Sequence, residues 1–269
     1  LGGRLDSTNI ITPLVSAITN VQLDHQDILG ETLEQIAAEK TGIIKENVPI
    51  ISGDENILVK NIIHEKANAV GTEFIDATEV KTDLETDLKG NYQRKNIRVV
   101  LALVEALRKK NISISDENIH DGLLRVQKNT GFIGRWFEFS KNPLTICDTG
   151  HNKVGLDMVF SQLSDYHCHK HIVLGFVQEK NIDEVLKILP RDAHYYFVKP
   201  AIHRGRHPKD YENLLVEVGV DFKIFDNVEA GYQSAKASCK EGEMIFIGGS
   251  NFVVGDFLEK RGNEYYTLF

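Results

Sequence analysis

The second half of the chain alternates uninterrupted apolar runs with helical stretches, and this pattern leaves few folds open. The apolar runs are Leu144-Thr145-Ile146-Cys147, His171-Ile172-Val173-Leu174-Gly175-Phe176, Tyr195-Tyr196-Phe197-Val198, Phe222-Lys223-Ile224-Phe225 and Met244-Ile245-Phe246-Ile247. Helical patterns lie between them near 153–164, 182–189, 208–218 and 228–239, with another near 252–259. Strands that are apolar on both faces must be covered on both faces, so the pattern predicts an α/β fold with a parallel sheet between helical layers.

The first half is less regular. Ser16–Val21 and Val48–Gly53 read as short strands and Thr72–Ala77 as a third. Leu33, Ile36, Ala37, Lys40 and Ile44 recur at helical spacing, as do Ile57, Val59, Ile62, Ile63 and Ala67. A long helix is expected from about Gln93 to Lys110 on the stripe Ile97, Val100, Leu101, Val104 and Leu107, and another from Ser115 to about Lys128. Asn129-Thr130-Gly131-Phe132-Ile133-Gly134 is the best linker in the chain. The expected domains are therefore 1–132 and 133–269.

Composition excludes several classes. The chain carries 31 Lys and Arg against 39 Asp and Glu, a net charge of −8, which argues against a nonspecific nucleic-acid binder. With 42% hydrophobic and 26% charged residues, it is not intrinsically disordered. No apolar run reaches the ~18 residues of a membrane span. Cys147, Cys168 and Cys239 are an odd count without framework spacing, which suits a reducing cytoplasm.

Doubly wound sheets bind ligands beyond the carboxyl ends of their strands, so the segments after the strands matter most. Asp148-Thr149-Gly150-His151-Asn152 follows one strand and opens a helix whose N-terminus favours an anion. Alone, the same residues describe a capped turn with polar surface groups. Asp24-His25 follows a strand similarly and suits a metal or a phosphate, or a simple hydrogen-bonded turn. Lys40 falls on the apolar stripe of its helix beside Glu39. It is either buried, with a partner or a changed pKa, or packed by its stem with its head in water. No G-x-x-x-x-G-K-[ST] loop, C-x-x-C, H-E-x-x-H or G-x-S-x-G motif is present.

Taken in order, seven blocks resemble the folylpolyglutamate synthase/dihydrofolate synthase family of Mur-ligase-like ATP-dependent amide ligases. They are L-G-G-R-L-D-S-T-N-I-I (1–11), I-T-N (18–20), D-H-x-x-x-L-G (24–30), I-A-A-E-K-T-G-I-I-K (36–45), Y-Q-x-x-N (92–96), G-R-W (134–136) and D-T-G-H-N (148–152). The resemblance implies a P-loop-type ATPase (Mur-ligase central) domain, here incomplete, followed by a Rossmann-like Mur-ligase C-terminal domain. The family's P-loop lies upstream of L-G-G-R, so the chain is expected to be the C-terminal two-thirds of the enzyme and inactive in isolation.

The implied reaction uses ATP and Mg2+. ATP phosphorylates a substrate carboxylate, and the amino group of L-glutamate attacks the acyl phosphate. The acceptor is a folate or dihydropteroate. By the resemblance, His25 ligates a magnesium, and Lys40 is the catalytic lysine often carbamylated in the superfamily. Asn96 lies near the nucleotide, Arg135 reaches the ATP phosphates, Asp148 holds the nucleotide, and His151 sits beside the acyl phosphate. Gly150 and Thr41 stand where the family usually has alanine. A monomer with no nucleic-acid or membrane partner is implied, as is a hinge at Thr130–Gly134 that brings His25, Lys40 and Asn96 together with Arg135, Asp148 and His151. The competing expectations are a Mur-type peptidoglycan ligase, against which the first block argues, and a non-catalytic folate- or nucleotide-binding module.

Overall fold

The computed structural model describes residues 2–178 and 182–261. Its contacts define two compact units. One takes the chain up to Asp87 together with Tyr92–Arg125, and the other takes Leu88–Asn91 and the chain from Val126 onward. Leu88–Asn91 groups with the second unit because buried Gln162 holds it at two points. The Gln162 side chain accepts from the Asn91 N–H at 2.8 Å and donates to the Lys89 carbonyl at 2.9 Å.

The first unit runs β1 (Ser16–Ile18), α1 (Gln26–Leu29), α2 (Leu33–Lys40), β2 (Ile50–Ser52), α3 (Ile57–Val70), β3 (Phe74–Asp76), α4 (Gln93–Lys109) and α5 (Asp116–Leu124). Its strands form a parallel sheet in the order β1-β2-β3, with Ser16 opposite Ile50 and Ile50 opposite Phe74. Successive residues of β2 point to opposite faces. Ile50 packs with Ile36, Ala37, Val59 and Ile63, and Ile51 packs with Ala77, Val99, Ala102 and Ala106.

Helix ends follow local chemistry. Thr32 and Gln35 form a capping box on α2, Asn56 caps α3, and Gly71 ends α3 in the left-handed conformation. Two details depart from the sequence expectation. The α4 stripe is rotated: Ile97, Val99, Ala102 and Ala106 are buried while Val100 is exposed, because the small alanines let the helix approach the sheet closely. The helix expected from Ser115 to Lys128 breaks at Arg125 and resumes as α6 (Val126–Thr130), which takes up part of the expected linker.

The second unit continues with β4 (Phe137–Lys141), β5 (Leu144–Cys147), α7 (Lys153–Ser164), β6 (Lys170–Leu174), α8 (Ile182–Leu186), β7 (Ala193–Val198), α9 (Glu212–Val218), β8 (Asp221–Phe225), α10 (Val228–Ser238), β9 (Met244–Gly248) and α11 (Asn251–Glu259). The sheet order is β4-β5-β9-β6-β7-β8, parallel except for β4. The chain moves from β5 past the place of β9 to β6, β7 and β8, then returns to insert β9. Right-handed crossovers put helices on opposite faces for opposite directions of travel. Residues of α7, α8 and α9 accordingly share one core with Ile172, Leu174 and Phe246, whereas those of α10 and α11 share the other with Val173, Ile245 and Ile247. The strand order reverses beside β5 and β9, and sheets of this kind bind ligands beyond the carboxyl ends of their strands at such a point. No helix among the described residues is long and apolar enough to cross a membrane.

Candidate active site

The turn after β5 lies at this switch point. Asp148 is 1% exposed, yet its carboxylate is well supplied with donors. Oδ2 accepts the Trp136 N–H at 2.8 Å, and Oδ1 accepts the Gly150 N–H at 2.7 Å. The Thr149 N–H donates to the Gly134 carbonyl at 2.9 Å. The G-R-W block and the D-T-G-H-N block, distinct in sequence, are thus one structure.

Trp136 adopts φ +47°, left-handed backbone that a bulky residue rarely takes. Burial of its indole and the bond from its N–H to Asp148 offset that strain. Between the two anchors, Arg135 keeps its side chain 37% exposed, with Nη1 4.0 Å from Asp148 Oδ1. The guanidinium is oriented while most of its donors remain for an anion.

Asn152 caps α7 through Oδ1, which accepts the Gly155 N–H at 2.7 Å. The dipole and free amides of that helix end favour negative charge. His151 is half-buried beside it, with Nδ1 3.1 Å from the Thr149 carbonyl oxygen. Arg135 and Asp148 are therefore neighbours, and His151 stands on the same turn as Asp148, three residues on.

In the first unit, His25, Lys40 and Asn96 lie on different elements and share no hydrogen bond with one another. His25 is exposed at the head of α1 with φ +53°, and its N–H donates to Asp24 Oδ1 at 2.9 Å. Lys40 is the last residue of α2 and half-buried. The α-helix tightens there into a 3-10 turn over Thr41–Ile43, and Ile44 packs in the same core as Ile36 and Ala37, so Lys40 borders the apolar stripe and is half-covered by it. Asn96 is exposed on α4 and donates to Gln93 Oε1 at 2.7 Å.

The first and fourth sequence blocks pack directly together. The Arg4 N–H donates to the Glu39 carbonyl at 3.0 Å, and the Arg4 guanidinium pairs with the Glu39 carboxylate at 3.1 Å. Asn9 Nδ2 donates to the Gly42 carbonyl at 3.0 Å, and Lys45 Nζ donates to the carbonyls of Asn9 and Ile11. A Cβ on Gly42 would come within 2.5 Å of Arg4 Cα, so only glycine permits this approach. A cleft of about 330 Å³ lies alongside, lined by Gly3, Asp6, Asn9, Ser16 and Ile43 among others.

Sequence reasoning missed Asp54. It is buried at the end of β2 and accepts the Val21 N–H at 2.6 Å and the Asn56 N–H at 2.8 Å. It ties the turn after β1 to the turn after β2. An aspartate following a strand, two residues before a helix-capping asparagine, was the available signal.

Residues 134–251 match the Mur ligase, glutamate ligase domain family. That match defines the class of the second unit. The chain is 31% identical to the dihydrofolate synthase/folylpolyglutamate synthase of Bacillus subtilis, over 97% of this chain and 65% of that protein. It is also 31% identical to a probable dihydrofolate synthetase of Schizosaccharomyces pombe, over 95% of this chain and 68% of that protein. A solved structure of the bifunctional folylpolyglutamate synthase/dihydrofolate synthase of Yersinia pestis, complexed with AMPPNP and a Mn ion, superposes with a TM-score of 0.80 at 26% identity. The superposition covers 97% of this chain and 64% of that one. The chain belongs to the folylpolyglutamate synthase/dihydrofolate synthase family. It spans about two thirds of the length of the relatives it matches.

Proposed function

We propose that the protein to which this chain belongs ligates L-glutamate to a folate or to dihydropteroate, using ATP and passing through an acyl phosphate. The observation that carries this reading is the clamp of Arg135 and Asp148 at the carboxyl end of β5. It presents a fixed cation beside a helix N-terminus within a glutamate ligase domain. The relatives that share this arrangement of elements are named for that chemistry, and one of them binds an ATP analogue with a divalent metal.

Each residue has a distinct part. Arg135 neutralises phosphate oxygens of the nucleotide as charge shifts during transfer, for which its planar fork is suited. Asp148 is a positioning residue that helps hold the nucleotide through the loop it anchors and through Arg135. His151 stands at the same helix end to bind the acyl phosphate or to take a proton from the attacking amine. Asn96 gives an exposed amide to the nucleotide.

His25 and the neighbouring Asp24 carboxylate offer nitrogen and oxygen donors that fit Mg2+, which when bound supplies charge neutralisation at phosphate oxygens. Lys40, half-buried at the end of α2, carries the carbamate in this reading, which would be an anionic oxygen donor suited to the same ion. Thr41 and Gly150, alanine in most of the family, leave this chemistry intact. The three free cysteines suit a reducing cytoplasm.

The test supplies the whole protein with ATP, Mg2+, L-glutamate and either dihydropteroate or a reduced folate, with products read by mass spectrometry. Glutamate-dependent ADP release with a glutamyl product on either acceptor is the expected result, and the acceptor used assigns the branch. Nucleotide binding without product on either acceptor would make it a binding module instead.

A further inference from the structure

A second cluster of reactive side chains sits at the opposite end of the second sheet from Asp148. The parallel strands β5, β6 and β9 run the same way, and Asp148 follows the end of β5. His171 is the second residue of β6, and Glu243 immediately precedes β9. Cys239 caps the C-terminus of α10. Three elements thus deliver an imidazole, a thiol and a carboxylate to one place, and their donor atoms all lie within 4.8 Å of one another.

The sequence around it is unusual. His167-Cys168-His169-Lys170-His171 is a short His/Cys tract, and Cys239 lies four residues before Glu243. Such tracts are a composition associated with metal binding. The folate chemistry proposed above uses none of these residues.

We propose that the cluster is a binding site for a divalent transition-metal ion of the zinc class, ligated by His171 Nε2, Cys239 Sγ and a Glu243 carboxylate oxygen. Tetrahedral zinc bonds of about 2.0–2.3 Å place ligand atoms roughly 3.3–3.8 Å apart, so small side-chain rotations suffice. The mixture of imidazole, thiolate and carboxylate suits zinc and cobalt and is too soft for magnesium.

The surroundings are built for ligation. His171 is 4% exposed, and its Nε2 lies 2.9 Å from Glu243 Oε2. Its other nitrogen lies 3.0 Å from the Tyr196 hydroxyl, which can accept from Nδ1–H and so leave Nε2 free to ligate. The Glu243 carboxylate is held by the Lys240 N–H at 2.8 Å. The Cys239 thiol is free of any disulfide and donates weakly to the Lys240 carbonyl at 3.8 Å. His169, exposed and with its ring centred 5.2 Å from that of His171, stands on the solvent side, where it or water fills the fourth position. An ion here would pin the end of α10 to the starts of β6 and β9.

The test uses the full chain, stripped with a chelator and kept reduced, and titrated with cobalt(II) chloride without nucleotide. One equivalent should bind with the visible bands of tetrahedral cobalt and a near-ultraviolet thiolate charge-transfer band, and zinc should displace it while millimolar magnesium should not. Cys239→Ser should remove the charge-transfer band and weaken zinc at least tenfold against a chromophoric chelator, and Glu243→Gln should weaken it less. Zinc should also raise the midpoint of Trp136 unfolding fluorescence in wild type and not in Cys239→Ser. Absence of the thiolate band in wild type, its survival in Cys239→Ser, or its loss to magnesium would each overturn the proposal. None of these readouts depends on ligase activity, so failure of the folate reading would leave them unchanged.

Discussion

Replacing Asp148 with asparagine removes a charge from the second unit without changing its shape, and the cost can be worked from two bonds. In the native turn each carboxylate oxygen accepts one backbone N–H, from Trp136 at 2.8 Å and from Gly150 at 2.7 Å. Asparagine has one acceptor oxygen and one NH2 group. Whichever way the amide is turned, one buried N–H faces a donor. The bond that survives falls from a charged to a neutral acceptor, a loss of about 1 kcal/mol, and the orphaned N–H costs about 1–3 kcal/mol more. The sum is about 2–4 kcal/mol, borne by the Gly134–Trp136 loop, where φ of +47° at Trp136 already needs support.

Trp136 is the only tryptophan in the chain, so its fluorescence in a urea titration follows this unit alone. With a slope near 2 kcal/mol per molar, the midpoint should fall by about 1–2 M. A midpoint within about 0.25 M of wild type would show that the carboxylate does not hold the loop, and the clamp would have to be abandoned.

Arg135→Ala should behave oppositely. Its side chain is 37% exposed and 4.0 Å from Asp148, so stability should change by less than about 1 kcal/mol while nucleotide affinity, measured by calorimetry, drops. Gly42→Ala should destabilise the first unit by about 1–3 kcal/mol, because its Cβ would press on the Arg4 backbone, and proteolysis near Arg4 should quicken. Burial raises the Asp76 carboxyl, but bonds from Thr78 and Lys60 outweigh it and hold it below the usual range. Its contribution is then complete above the ordinary carboxylate pKa of about 3.9 and fades as pH falls through the folded value, so the gap in unfolding midpoint between wild type and Asp76→Asn should close as pH is lowered from about 6 to about 3. Lys40→Ala should lose ligase activity in the whole protein and regain part of it with acetate, whereas Lys40→Arg should stay inactive; full activity of Lys40→Arg would exclude a carbamate.

The strands of the second unit were legible because helices cover both faces, which demands the unbroken apolar runs of β6, β7 and β9. β4 was not legible for the complementary reason. It is an antiparallel edge strand whose Phe137-Glu138-Phe139 alternation is too short to separate from the Gly-Arg-Trp loop before it. The first unit was harder throughout. Its strands are three residues long, and the periodicity of α4 fits two neighbouring stripes, between which only the close approach of Ala102 and Ala106 to Ile51 decides. Gln162 gave no sign in sequence, since a buried glutamine on an otherwise apolar helix face is recognisable only once Lys89 and Asn91 are seen against it.

At the candidate site, the strand-to-helix turn was legible and its conformation was not. Asp148, His151 and Asn152 stand in a strand-to-helix turn whose capping follows from local chemistry, so their placement could be anticipated from spacing alone. That Asp148 looks backward to the Trp136 amide, twelve residues earlier, depends on a left-handed tryptophan that propensity argues against. Lys40 shows the converse: its place in a helical pattern allowed either a buried amine or a packed stem with its head in water, and the half-buried residue at the end of α2 fits the second. A periodic pattern reports where the apolar face runs, whereas how far a residue on its border is covered depends on long-range packing, here with Gly42 closing on Arg4 and Asn9 bonding the Gly42 carbonyl. What the sequence could not show is therefore the set of contacts between distant blocks, and beside these contacts Arg135 and Lys40 are left partly exposed.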